Sequence, residues 1–377
     1  MGSTWLRVVL GLLLVVAGFF GVLAFLVPAP ISPVAWRAPA APALTGALTR
    51  NNELDGAERL PLGDGVGGED VAVWHDGRMI TGLDDGRLLV MAPDGRRLHT
   101  LLGRGGRPLG LDWAADGSLI VADAGRGLLR VRQPFSPDAA MVDTLIPAGA
   151  ADAAHLHFAD DVAVGPDGRI YVSDASARFT IGQSRLDIIE GRGTGRLLAY
   201  DPAERAVRVL LSGLHFANGV AVADDGSSVL VVETGRYRLR QLFLSGPRAG
   251  ESRIVADNLP GFPDGVSRGA GGVYWVALFA PRNALLDRMH PYPVLKRITT
   301  LLPDWLAPAP VRSGHVLGLT VAADGAAVMA SLDDPDGSHL HHVTSVEERG
   351  GMLFLGTLDS PHIARIPRPA LAVDAAR

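Results

Sequence analysis

The stretch Gly213-Leu214-His215-Phe216-Ala217-Asn218-Gly219-Val220-Ala221-Val222-Ala223-Asp224-Asp225-Gly226, running on into Ser228-Val229-Leu230-Val231-Val232-Glu233-Thr234, decides the fold. It sets a polar side chain ahead of an apolar strand, turns on Asp-Gly, and returns as a second apolar strand. Asp-Gly between two apolar runs is a hairpin signature. Variants of the pattern recur. Upstream stand Gly67-Gly68-Glu69-Asp70-Val71-Ala72-Val73, Pro108-Leu109-Gly110-Leu111-Asp112-Trp113 and Phe158-Ala159-Asp160-Asp161-Val162-Ala163-Val164. Downstream stand Phe262-Pro263-Asp264-Gly265-Val266-Ser267 and His342-Val343-Thr344-Ser345-Val346. A lone Asp-Gly is only a surface turn. A whole unit returning about every 40–60 residues is the mark of a repeat architecture of the propeller kind. The expected fold is therefore all-β, a six-bladed β-propeller. The last blade lacks a strand, which Glu58-Arg59-Leu60-Pro61-Leu62 would supply from the N-terminal end.

Composition agrees. Charged residues are 20% and apolar residues 47% of the chain, enough apolar content for a large core and against disorder. The net charge of −5, with both signs interspersed, argues against a nucleic-acid binder, which would carry a basic face. There is no cysteine, which excludes disulfides, thiolate nucleophiles and Cys-ligated zinc.

Residues 8–27 carry no charge and follow Arg7. At about 1.5 Å per residue such a run spans a hydrocarbon core of roughly 30 Å. The expectation is an uncleaved transmembrane signal anchor over residues 1–27, with a single pass and the propeller on the non-cytoplasmic side. Residues 28–51, rich in Pro and Ala, read as an extended linker, and residues 52–377 as the propeller. One segment breaks the repeat. Residues 283–302 read as a helical insertion with Leu295, Ile298, Leu301 and Leu302 on one face, fit for a lid, a membrane-surface helix or plain packing.

The motifs resemble those of the strictosidine synthase-like propellers, a branch of the superfamily that includes the regucalcin/gluconolactonase (SMP-30) proteins and the paraoxonases. The resemblance is carried by Phe158-Ala159-Asp160-Asp161, Gly195-Arg196-Leu197-Leu198-Ala199-Tyr200-Asp201-Pro202, Asn218-Gly219-Val220-Ala221 and Glu233-Thr234-Gly235-Arg236-Tyr237-Arg238. It extends through Leu259-Pro260-Gly261-Phe262-Pro263-Asp264, Leu332-Asp333-Asp334-Pro335-Asp336-Gly337 and Leu353-Phe354-Leu355-Gly356-Thr357, covering almost the whole chain. The fold hosts several chemistries, so function must be argued from the site.

Polar oxygen donors recur at the head of the inner strands: Glu69, Asp160, Asn218 and Asp264. On a propeller these converge on the axis. Three carboxylates and an amide are a hard-oxygen set suited to Ca²⁺ or another divalent cation. Without a cation, three converging carboxylates repel one another. The resemblance points to the same four positions, where regucalcin-like members hold a divalent metal by Glu, Asn, Asn and Asp; here the second is Asp160. The expected activity is a metal-dependent hydrolase of esters or lactones, arylesterase- or lactonase-like, acting on a small-molecule substrate. The metal would polarise the carbonyl, Asp264 would act as base or nucleophile, and His157 or His215 would shuttle a proton. Two alternatives stay open. One is a strictosidine synthase-like amine–aldehyde condensation, which the resemblance ties to a glutamate in the last blade and to no metal. The other is a non-catalytic binding propeller. His339, His341 and His342 crowd together without the spacing of a common zinc motif. No Gly-x-Ser-x-Gly elbow is present, which excludes a serine hydrolase of the α/β-hydrolase type.

Overall fold

A computed structural model of the chain describes residues 28–152, 155–302 and 309–371, together with Trp5, Val8, Gly11 and Gly18. Six four-stranded antiparallel sheets stand around a common axis. Five are sequential meanders. In the sixth, Glu58–Pro61 pairs with His362–Pro367 in the register Leu60↔Ile363, so the N-terminal strand closes the ring as the sequence indicates.

The innermost strands are Val71–Val73, Pro108–Trp113, Ala159–Val164, Ala217–Val222, Gly261–Arg268 and Val343–Arg349. They read as apolar runs because each is buried between neighbouring blades; every residue of Ala217–Val222 is buried. The outermost strands face water, as in Arg97–Leu101, where only Leu101 is buried. The cores lie between blades. Ala221, Leu230, Val232 and Leu239 of the fourth blade pack against Val266, Val276, Leu278 and Leu317 of the fifth. Each such side chain contributes about 1.5–3 kcal/mol of burial, so the ring is held by side-chain packing between sheets with no disulfide.

Close approach of inner strands at the axis leaves no room for side chains at certain positions. A Cβ on Gly219 would stand 2.3 Å from the Val266 backbone nitrogen, and one on Gly265 2.5 Å from the Thr344 carbonyl oxygen.

Residues 28–51 are extended but do not hang free. Ser32 N donates to Glu190 Oε2 at 2.7 Å, and Trp36 N to the His290 carbonyl at 3.1 Å. Ile31 is buried against Phe179 and Ile189. The segment is thus a strap laid on the blades, reaching the fifth blade where Asn51 Nδ2 donates to the Ser331 carbonyl. Beneath it lie three short helices, α1 (Ser184–Glu190), α2 (Ala284–Met289) and α3 (Pro293–Thr299). The expected insertion is present, but its buried face differs. Leu295 is exposed, whereas Lys296 is fully buried and donates Nζ to the carbonyls of Val34 and Glu190. The strap offers carbonyl oxygens that need a donor, and this need, rather than the leucine pattern, sets the rotation of α3.

Among the described residues no helix is long and apolar enough to cross a membrane. This corrects the expectation of a single-pass membrane protein with its propeller on the non-cytoplasmic side. The described helices are one or two turns long, whereas a span needs about 20 residues. The apolar run of residues 8–27 lies outside the described residues apart from Val8, Gly11 and Gly18.

Candidate metal centre on the propeller axis

Glu69, Asp160 and Asn218 line one axial channel and Asp264 is hydrogen-bonded to Asn218, although the three carboxyls do not all close within 4.8 Å of one another. Glu69 precedes the first inner strand. Asp160, Asn218 and Asp264 each sit where the pairing register slips, between Ala159 and Val162, Ala217 and Val220, and Pro263 and Val266. A bulge re-aims the side chain it carries, and here the bulges turn three donors toward the axis. All four residues are buried, and Asn218 Nδ2 donates to Asp264 Oδ1.

Each donor is held by its surroundings. Asp174, at the end of the neighbouring strand, accepts the backbone N–H groups of His157 and Phe158, fixing the approach to Asp160. Glu233 Oε2 does the same for His215 N ahead of Asn218. Thr234 Oγ1 donates to the Pro263 carbonyl at 2.7 Å, and Thr344 Oγ1 to the Glu69 carbonyl at 2.6 Å. The positions are therefore preorganised.

The electrostatics are unusual. Burial first, then Asp264 and Asp160, push the Glu69 carboxyl well above its ordinary range, with Arg107 opposing. Burial, Asp264, Asp161 and Asp174 push Asp160 well above its own. Burial raises Asp264 to about 7, against the Asn218 hydrogen bond. Asp264 raises both Glu69 and Asp160 while being raised itself by burial, and buried carboxyls placed like this need either protons or a cation.

The ring opens into an axial channel of about 320 Å³, lined at the far end by Trp74, Trp113, Arg268 and Arg349. Beyond the ring lies a second set of acids, Asp70 and Asp161 one residue on and Asp112 further along its strand. Asp70 accepts from Val71 N and from Leu111 N of the next blade. Asp112 accepts from Trp113 N and Val164 N, and Asp161 from Val162 N and Val220 N. These three aspartates staple successive inner strands together. Sequence reasoning missed them, although each directly precedes or ends an apolar run.

The partners of the two histidines lie outside the ring. His157 Nδ1 donates to the Gly149 carbonyl. His215 is held near a pKa of about 4 by burial and by Arg236, and so stays neutral. The sixth blade carries Thr344 at its own bulge, and Glu347 lies three residues further down the channel.

Fold and ring together define a six-bladed propeller with an axial set of hard oxygen donors. Comparison with known proteins sharpens this. A model described as strictosidine synthase matches residues 160–247, and one described as strictosidine synthase-like, N-terminal, matches residues 46–91. Human adipocyte plasma membrane-associated protein is 33% identical over 365 residues, covering 92% of this chain and 86% of that protein. The chain belongs to the strictosidine synthase-like family that includes the adipocyte plasma membrane-associated proteins. Among solved structures, a gluconolactonase from Xanthomonas campestris superposes with a TM-score of 0.57 at 17% identity, covering 91% of this chain and 99% of that one. A calcium-binding protein, regucalcin, from Agrobacterium tumefaciens superposes with a TM-score of 0.56 at 14% identity, covering 82% and 92%. At these identities the likeness concerns the fold.

Proposed function

We propose that the chain is a divalent-metal-dependent hydrolase of carboxylic esters or lactones, with the ion held by Glu69, Asp160, Asn218 and Asp264. The observation that carries the reading is the placement of three buried carboxyls with raised pKa values and one buried amide at the axis. The donor set fits: all are hard oxygens, as Ca²⁺ prefers. The two solved neighbours described as a gluconolactonase and as a calcium-binding protein lend the reading support.

A bound dication would supply Lewis acidity toward a substrate carbonyl oxygen. The chain's own residues do the rest. Asp264 gives one oxygen to Asn218 and keeps the other for a water proton. Asp174, Glu233, Thr234 and Thr344 fix the geometry through backbone groups. His215, being neutral, is able to accept a proton, and His157 stands three residues ahead of Asp160. The condensing-enzyme reading asks for a glutamate of the last blade; this chain presents Thr344 at the bulge and Glu347 further down the channel.

The test is hydrolysis of phenyl acetate and a panel of γ- and δ-lactones by the full chain, with Ca²⁺ and with chelator. Turnover that needs the ion and disappears in Asp264→Asn, with the fold retained, supports the reading. Ion binding without turnover on any ester or lactone shifts the assignment to a binding propeller.

A further inference from the structure

We propose that His341, His342 and Asp359 form a second, separate metal site, one for a Zn²⁺-type transition dication, on the closing blade. The three residues come from two segments, the loop before the last inner strand and the loop before the last outer strand. Their ligand atoms all lie within 4.8 Å of one another.

Consecutive side chains on extended backbone point to opposite faces. His342 escapes this rule because its φ is +50°, in the left-handed region. That conformation is uncommon for a residue other than glycine. It turns both rings toward one carboxylate, with the imidazoles edge-to-face at 5.1 Å. His342 Nδ1 lies 2.9 Å from Asp359 Oδ2, and His341 Nε2 lies 3.9 Å from Asp359 Oδ1.

The tautomer of His341 is set. Its Nδ1–H donates to the Gly337 carbonyl at 3.1 Å, so the Nε2 lone pair faces the cluster. A ligating histidine characteristically gives its other N–H to a backbone carbonyl or carboxylate. The His342 ring is locked by stacking on Phe279 at 4.7 Å. Its Nδ1 now donates to Asp359; ligation through Nδ1 would take the other neutral tautomer, with the ring proton on the buried Nε2. The Asp359 side chain is 49% exposed and that of His342 only 8%, so the site has a rigid wall and a solvent-facing opening.

The set of two imidazoles and one carboxylate leaves room for water as a fourth ligand and suits zinc rather than calcium. It differs from the axial ring, which offers oxygen alone. Its role is a clasp. It joins the two loops beside the blade that closes the ring, where Leu358 N also donates to the His342 carbonyl.

The test uses the full chain saturated with Ca²⁺ and titrated with Co²⁺ and then Zn²⁺. The expected result is one equivalent of Co²⁺ giving visible d–d absorption, displaced by Zn²⁺, with a raised melting temperature. Asp359→Asn and His341→Asn should each weaken binding by more than the roughly 10–100-fold that follows loss of a partner of a ligating histidine. Asp264→Asn should leave it unchanged. No Co²⁺ or Zn²⁺ binding overturns the proposal, as does binding that survives Asp359→Asn but disappears with Asp264→Asn. Neither outcome depends on whether the axial ring hydrolyses anything.

Discussion

Asp160 and Asp161 are adjacent on one strand and both line the channel, yet they meet opposite surroundings. Asp161 accepts two backbone N–H groups, one from each of two blades. Those bonds oppose burial and the neighbouring acids, which still hold the Asp161 carboxyl well above its ordinary range. Every influence on Asp160 runs the other way, with burial and three carboxylates all raising it. Asp70 and Glu69 differ in their backbone donors in the same way: Asp70 accepts two N–H groups, whereas the rise of the Glu69 carboxyl is opposed by Arg107. Both sets of acids are raised by burial, but one accepts backbone N–H groups that link the blades, and the other has no such donors among the described residues. Residue type and burial do not tell the two apart. The supply of donors does.

The contrast is broken most severely at the unsatisfied ring. Asp264→Asn should lower metal-dependent hydrolysis by at least about 100-fold, the scale on which removing one electrostatic stabiliser acts. The fold should persist, because the substitution relieves repulsion in the ion-free protein. Activity assays beside a thermal melt in chelator separate the two effects. At the satisfied ring the outcome inverts. Asp161→Ala strands the N–H groups of Val162 and Val220, at a cost of about 1–3 kcal/mol each. Urea denaturation should show that loss.

A smaller effect is expected from pH. Asp264 has a folded pKa near 7, above its ordinary 3.8, and Glu69 and Asp160 are raised as well. A raised carboxyl means that the folded state holds more protons than the unfolded one, so stability falls as pH rises through that window. Chelated protein should therefore lose stability between about pH 4 and pH 7 from these groups, and saturating Ca²⁺ should flatten the slope, leaving the part due to Asp112 and Asp187, both raised to about 6. Melting temperatures across that range with and without the ion are the check. Smaller still, Gly219→Ala forces a Cβ against Val266 and should destabilise by about 1–3 kcal/mol, in line with overpacking of a tight contact. At the bottom of the scale, His157→Gln should leave ion affinity unchanged. Its backbone N–H, not its ring, is held by Asp174.

Much of this was legible in the sequence, for physical reasons. The two inner strands of each blade are buried on both faces and so appear as apolar runs, whereas outer strands such as Met141–Pro147 are mostly exposed and carry no such signature. The four donors were visible because they recur at one place in the repeat. The staples were not, since an aspartate that caps the next blade's N–H looks the same as one that faces a cavity. The role of Lys296 depends on carbonyls of a strap more than 250 residues away. The pairing of His341 and His342 with Asp359 needs both a chain reversal and a left-handed backbone at His342, and neither is encoded in spacing. The apolar run of residues 8–27 led to an expectation that the described helices do not bear out.

The most direct measurement is calorimetric titration of the chelator-stripped full chain with Ca²⁺, alongside Asp264→Asn and Asp161→Asn. The account predicts one ion per chain on the axis, abolished by Asp264→Asn and retained in Asp161→Asn at reduced stability. Absence of binding in the unaltered chain would contradict it, as would binding that survives Asp264→Asn and disappears with Asp161→Asn.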